Sequence, residues 1–125
     1  MNLGFFKNFK GADSILLDGS PEEISELANR VREFAHSGAE RFQIDGAARV
    51  SESHNAKLFF SLNPKDNASE FQLKCTGDDA VVIQEKLLAL VSPSSGHQYF
   101  DLYNSKVQLI ISVGEYGSAW WEKHG

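Results

Sequence analysis

The chain has 125 residues, of which 42% are hydrophobic and 23% charged, with three prolines and ten glycines. That suits a single domain over residues 1–125 with one hydrophobic core, and excludes collagen-like, low-complexity and disordered chains. Acidic side chains outnumber basic ones by 17 to 12, a net charge of −5, which argues against a protein whose main task is to neutralise phosphates or anionic lipid.

The opening Met1-Asn2-Leu3-Gly4-Phe5-Phe6-Lys7 has too short an apolar run for a signal peptide. No stretch approaches the ~20 apolar residues of a membrane span, so a membrane partner is not expected. A short strand around Ile15, Leu16 and Leu17 precedes a helix announced by Ser20-Pro21-Glu22-Glu23. There Ser20 can cap, Pro21 suits the first helical position and Glu23 can close a capping box. Ile24, Leu27, Ala28, Val31, Phe34 and Ala35 then recur at helical spacing, and Gly38 ends the helix. Phe42 and Ile44 alternate with Arg41, Gln43 and Asp45 as a strand. Leu58, Phe60 and Leu62 alternate likewise, and after the turn-rich Asn63-Pro64-Lys65-Asp66-Asn67 the pattern resumes at Phe71, Leu73 and Cys75, which reads as a hairpin with a long loop.

A second helix opens at Asp78-Asp79 after Gly77, turns Ala80, Ile83, Leu87, Leu90 and Val91 inward, and stops before Pro93. The strand from His97 to Tyr103 and the clean alternation Val107, Leu109, Ile111, Val113 form a last hairpin across Asn104-Ser105. The order strand, helix, three strands, helix, two strands predicts an α+β two-layer sandwich: a largely antiparallel sheet of about six strands with two helices on one face.

That hairpin register pairs Leu102 with Val107, Phe100 with Leu109 and Gln98 with Ile111 on the core side. It leaves His97, Tyr99, Asp101, Tyr103 and Ile110 on the opposite face. By the same alternation Lys57, Phe59, Gln72 and Lys74 point outward from the middle strands. If the helices cover one side only, this aromatic and polar face is open, and such groups are what a protein interface uses. Tyrosines also stabilise antiparallel sheets without any partner, as a Tyr99–Ile110 cross-strand pair would. The Trp120-Trp121 pair near the C-terminus either pins the tail onto the core or anchors a partner. The candidate partner-binding residues are therefore Phe59, His97, Tyr99, Asp101, Tyr103, Ile110, Trp120 and Trp121.

Catalytic and metal chemistry find little support. His97 and Asp101 share a face but stand roughly 13 Å apart by strand rise, too far for a direct hydrogen bond. No H-x-x-x-H or H-E-x-x-H spacing occurs, and neither does a nucleophile elbow or a phosphate-cradling glycine loop. No metal or cofactor is expected. His36 suits the negative end of its helix, and His54 belongs to the polar, solvated segment Ser51-Glu52-Ser53-His54-Asn55. The single cysteine, Cys75, excludes an internal disulfide and mildly favours a reducing cytoplasm, and its inward parity makes it a small buried hydrophobe rather than a nucleophile. Phe59, Tyr99 and Tyr103 have the chemistry of a base-stacking platform, but twelve basic residues and a pI near 5.3 oppose a nucleic-acid partner.

The small acidic chain, the capped helix Ser20-Pro21-Glu22-Glu23-Ile24 to Phe34, and the closing hairpin His97-Gln98-Tyr99-Phe100-Asp101-Leu102-Tyr103 with Leu109-Ile110-Ile111-Ser112 resemble bacterial immunity proteins of polymorphic toxin systems. The resemblance lies in element order and in the final third of the chain, and it transfers no site residue. It implies a non-enzymatic protein that binds a cognate toxin stoichiometrically and blocks its active site. The alternative is a small-molecule binding or regulatory domain with a pocket between helices and sheet. An enzyme would need a site assembled from His97, Tyr99, Asp101 and Glu115.

Overall fold

A computed structural model describes residues 1–44, 57–67 and 69–124. In chain order the elements are β1 (Asn2–Phe9), β2 (Ala12–Gly19), α1 (Pro21–Ser37), β3 (Arg41–Gln43), β4 (Leu58–Ser61), β5 (Phe71–Lys74), α2 (Gly77–Val91), β6 (Gly96–Asp101), β7 (Gln108–Val113) and α3 (Ser118–His124). The fold is α+β, and the described residues form seven strands in two open sheets. One sheet has the order β1-β2-β7-β6 and the other β3-β4-β5. The backbone N–H of Tyr103, just past β6, donates to the carbonyl of Gln72 on β5 at 2.7 Å and ties the two sheets together.

Both long helices are built by their caps. Ser20 accepts from the Glu23 N–H while Glu23 accepts from the Ser20 N–H, and Thr76 and Asp79 repeat this box for α2. Gly38 closes α1 at φ 74°, the left-handed region where a side chain would be strained. Ile24, Leu27 and Val31 of α1 and Ile83, Leu87 and Leu90 of α2 enter one core with Leu3, Ile15, Leu17, Phe100, Leu109 and Ile111 of the larger sheet and Phe60 and Leu73 of the smaller.

The single six-strand sheet expected from periodicity is in fact two sheets, and two of the pairings are parallel. β2 runs parallel to β7, from Ser14↔Gln108 to Gly19↔Val113. It is an inner strand because an N-terminal β1 pairs antiparallel on its other side. That strand is absent from the sequence expectation: Leu3-Gly4-Phe5-Phe6 is a continuous apolar run rather than an alternation. The strands at Leu58–Ser61 and Phe71–Lys74 do not form a hairpin. They are parallel, Leu58↔Phe71 to Ser61↔Lys74, so the connection between them returns the chain to the starting end. Side-chain parity is identical in the two pairings, which is why alternation could not distinguish them.

Two helices on one face is also corrected. α1 and α2 share that face, and a third helix, α3, lies on the other. Its Trp121 packs with Leu16 and Ile110 under a cluster of Phe6, Phe9, Tyr116 and Trp120. Ile15, Leu16 and Leu17 are consequently all buried, because β2 is covered on both sides. Asp45, expected in the strand with Phe42 and Ile44, and His54, expected in a solvated loop, lie outside the described residues. Among those described, no helix is long and apolar enough to cross a membrane.

Candidate functional site

Strand register assembles the outer face of the larger sheet in three rows. One runs Asn2, Asp18, Ser112, His97, the next Gly4, Leu16, Ile110, Tyr99, and the third Phe6, Ser14, Gln108, Asp101. The hairpin register read from the sequence holds, with Phe100↔Leu109 and Gln98↔Ile111, although both strands end one residue short of the Leu102–Val107 pair. Three of the four strands in these rows are roofed by α3. Gly4 makes the close approach of the roof possible, since a Cβ there would stand 3.1 Å from Trp121 Cζ3.

Ile110 is therefore not a surface residue. It is fully buried, as is Trp121, whose ring lies 5.8 Å from that of Phe6 and 5.2 Å from that of Trp120. Trp121 pins the tail onto the fold, and Trp120 is half-buried in the same cluster, with Phe6 and Tyr116 rings at 5.4 and 4.6 Å. The polar groups under the roof satisfy one another. Ser112 Oγ donates to Asp18 Oδ1 at 2.8 Å, and Gln108 Nε2 donates to Ser14 Oγ at 2.9 Å. Burial raises the Asp18 pKa above the usual aspartate range, against the Ser112 hydroxyl and the Trp121 N–H, which favour its charged form. Trp121 Nε1 itself is buried without an acceptor in hydrogen-bond geometry, so its help to Asp18 is that of a nearby dipole.

At the uncovered end of the rows lies β6. Tyr99 is 44% and Tyr103 40% exposed, and Asp101 between them is exposed too. His97 stands at the start of the strip, its ring edge-on to Tyr99 at 5.2 Å and its Nδ1 2.8 Å from Glu115 Oε1. His97, Tyr99 and Glu115 are thus brought together, which periodicity could not foresee because Glu115 lies beyond the strand. Asp101 stays two rows away. Ser112, the cross-strand partner of His97, is fully buried and donates to Asp18, so it is no nucleophile. Among the described residues no group of three His, Cys, Asp or Glu side chains is placed to hold a metal ion.

Phe59 lies apart from this strip, on the smaller sheet. The Arg41 guanidinium covers its ring at 3.6 Å and is held there by Glu70 at 2.9 Å. Gln72, expected to point outward, does so but is buried. Its Oε1 accepts from Ser61 Oγ at 3.0 Å, and its Nε2 donates to the Lys65 carbonyl at 2.6 Å. The chain at Lys65 thus comes over Gln72, while Arg41, Gln43 and Lys74 on the same outer face of the small sheet stay exposed. Beside it a hollow of about 420 Å³ is bordered by Tyr103, Asn104, Asp66, Asn67 and Glu70, with Asn104 Nδ2 donating to Asp66 Oδ1 at 2.8 Å. It is polar and open, and it is not the helix-to-sheet pocket that a small-molecule domain was expected to have. Comparison with known proteins yields no matching family model, no matching curated protein and no matching solved structure.

Proposed function

We propose that this chain is a non-enzymatic binding protein that engages a protein partner through the β6 strip, and that it acts as an immunity protein, neutralising a cognate toxin by stoichiometric binding in the cytoplasm. The observation that supports this reading is the exposure of Tyr99 and Tyr103 along the edge of a sheet whose other three strands are roofed by α3. Tyr99 on β6 and Tyr103 in the turn just past it flank Asp101, and both rings offer area and a hydrogen-bonding oxygen. The polar hollow beside Tyr103 gives the strip a rim.

The partner to be tried is the product of a toxin-like reading frame adjoining the coding region. Co-expression should restore growth to cells making that product. Tyr99→Ala with Tyr103→Ala should weaken the complex by at least about 2 kcal/mol, without moving the denaturation midpoint. Full affinity in the double variant would remove the strip from the interface. Turnover of the partner by the chain would overturn the non-enzymatic assignment.

A further inference from the structure

Helix α2 sends Ala80, Ile83, Leu87 and Leu90 into the core. Its opposite face carries Val81 and Val82, each 55% exposed, and Leu88, 49% exposed. These are three of the five exposed large hydrophobic side chains among the described residues, gathered on one helix. Val81 and Leu88 are seven positions apart and so lie along one line of the helix. Asp78 and Glu85, both exposed, form a parallel line at the same spacing between Val81 with Leu88 on one flank and Val82 with Ala89 on the other.

This face has no counter-charge within α2. Lys86 is the only basic residue of the helix, and it is turned toward the sheet. Its ammonium sits 4.3 Å from the Phe100 ring centroid and donates to the Tyr99 carbonyl. Past Leu88 the surface continues at Val91 into a shallow hollow of about 380 Å³ against α1, where Glu22 and Glu26 stand beside Ser25 and Asn29. An ordinary solvated helix face would mix both signs of charge and few aliphatic groups. Here an aliphatic stripe is bordered by the carboxylates of Asp78, Glu85, Glu22 and Glu26, and no basic side chain of α2 stands beside it.

We infer that this face of α2 is a second interface, and that its occupant is a basic amphipathic helix of a partner protein. Aliphatic side chains at heptad spacing pack beside Val81 and Leu88, while lysines or arginines meet Asp78, Glu85, Glu22 and Glu26. A second copy of the chain is a poorer occupant. Pairing α2 with itself about a twofold axis sets the acidic line against its own copy, with no basic residue on that face of α2 to answer it. The β6 strip faces the other side of the sheet, so each surface stands or falls alone.

Two designed helical peptides test this. Both repeat leucine at heptad spacing, one with lysines and the other with glutamates at the flanking positions. Each is titrated into the full chain while backbone amide resonances are followed. The lysine peptide is expected to bind saturably, shifting the amides of residues 78–91 and leaving those of 97–103 in place. Leu88→Ser should weaken it at least about tenfold with an unchanged denaturation midpoint, and Glu85→Lys should weaken it while improving binding of the glutamate peptide. Absent or non-saturable binding, shifts centred elsewhere, or equal affinity for Leu88→Ser would overturn the inference. So would a concentration-dependent dimer that Leu88→Ser dissolves, which would give the face to a second copy.

Discussion

Leu109 has no exposed surface, and its strand neighbours are Ile15 on β2 and Phe100 on β6. Truncation there leaves a cavity among atoms held by both sheets and helices. Leu109→Ala is expected to cost about 2–5 kcal/mol, read as a lower denaturation midpoint at unchanged slope. Asp18 is the opposite kind of residue, a carboxyl whose burial favours its neutral form. Its folded pKa lies above the unfolded one, so its contribution to stability is fullest in acid and is lost as pH rises through the folded value. Asp18→Asn keeps an acceptor for Ser112 and removes that dependence. Thermal melts should show the variant gaining on the parent between pH 3 and pH 7. Cys75 is buried, and desolvation, aided by the Asp79 charge, pushes its thiol up to about 11. A thiol reagent at pH 7.5 should label the unfolded chain and spare the native one. Alternation puts Ile110 opposite Leu109 and Ile111, and α3 above it decides that it is buried.

The two capped helices are the elements most nearly written in local chemistry. Ser20, Pro21 and Glu23 satisfy the exposed amides of the first turn of α1 wherever the helix is then placed, and Gly38 ends it for a reason confined to its own backbone. Ser20→Ala or Thr76→Ala should each cost about 1 kcal/mol of stability, measured by denaturant. Glu23 is held below its usual range by the Met1 ammonium and then by the Ser20 N–H. For Asp79, burial alone would raise the pKa, but the Thr76 N–H and hydroxyl and Lys74 outweigh it and hold it low. Both carboxylates thus contribute stability above the ordinary carboxylate range and lose it as pH falls through their folded values, the reverse of Asp18. The strands are less local. β4 and β5 expose the same side-chain parity whether paired parallel or antiparallel, and they pair parallel.

At the scale of the molecule, the sheet β1-β2-β7-β6 is closed on one side by α1 and α2 and on the other by the short α3. Removing the large ring that anchors α3, by Trp121→Ala, is expected to cost about 3–5 kcal/mol and to uncover Leu16 and Ile110. A hydrophobic dye should report the newly exposed surface. Unchanged stability and dye response would mean that α3 contributes little to the closure. The β6 strip, lying beyond the roof, should keep its exposure in that variant.

What local order determines was legible from the sequence alone: two helices with their caps and ends, the inward stripes of Ile24 to Phe34 and Ala80 to Leu90, and the Phe100↔Leu109 register. Each depends on residues close in the chain or on a period that the backbone imposes. Contacts distant in sequence decided the rest. Trp121 reaches back to Gly4 and Leu16, β2 finds β7 nearly a hundred residues on, and His97 meets Glu115 only because the chain turns after β7. Periodicity names the two faces of a strand, but it cannot say which of them another part of the chain will cover. That covering separates buried Ile110 from exposed Tyr99, though the two are partners across the same row.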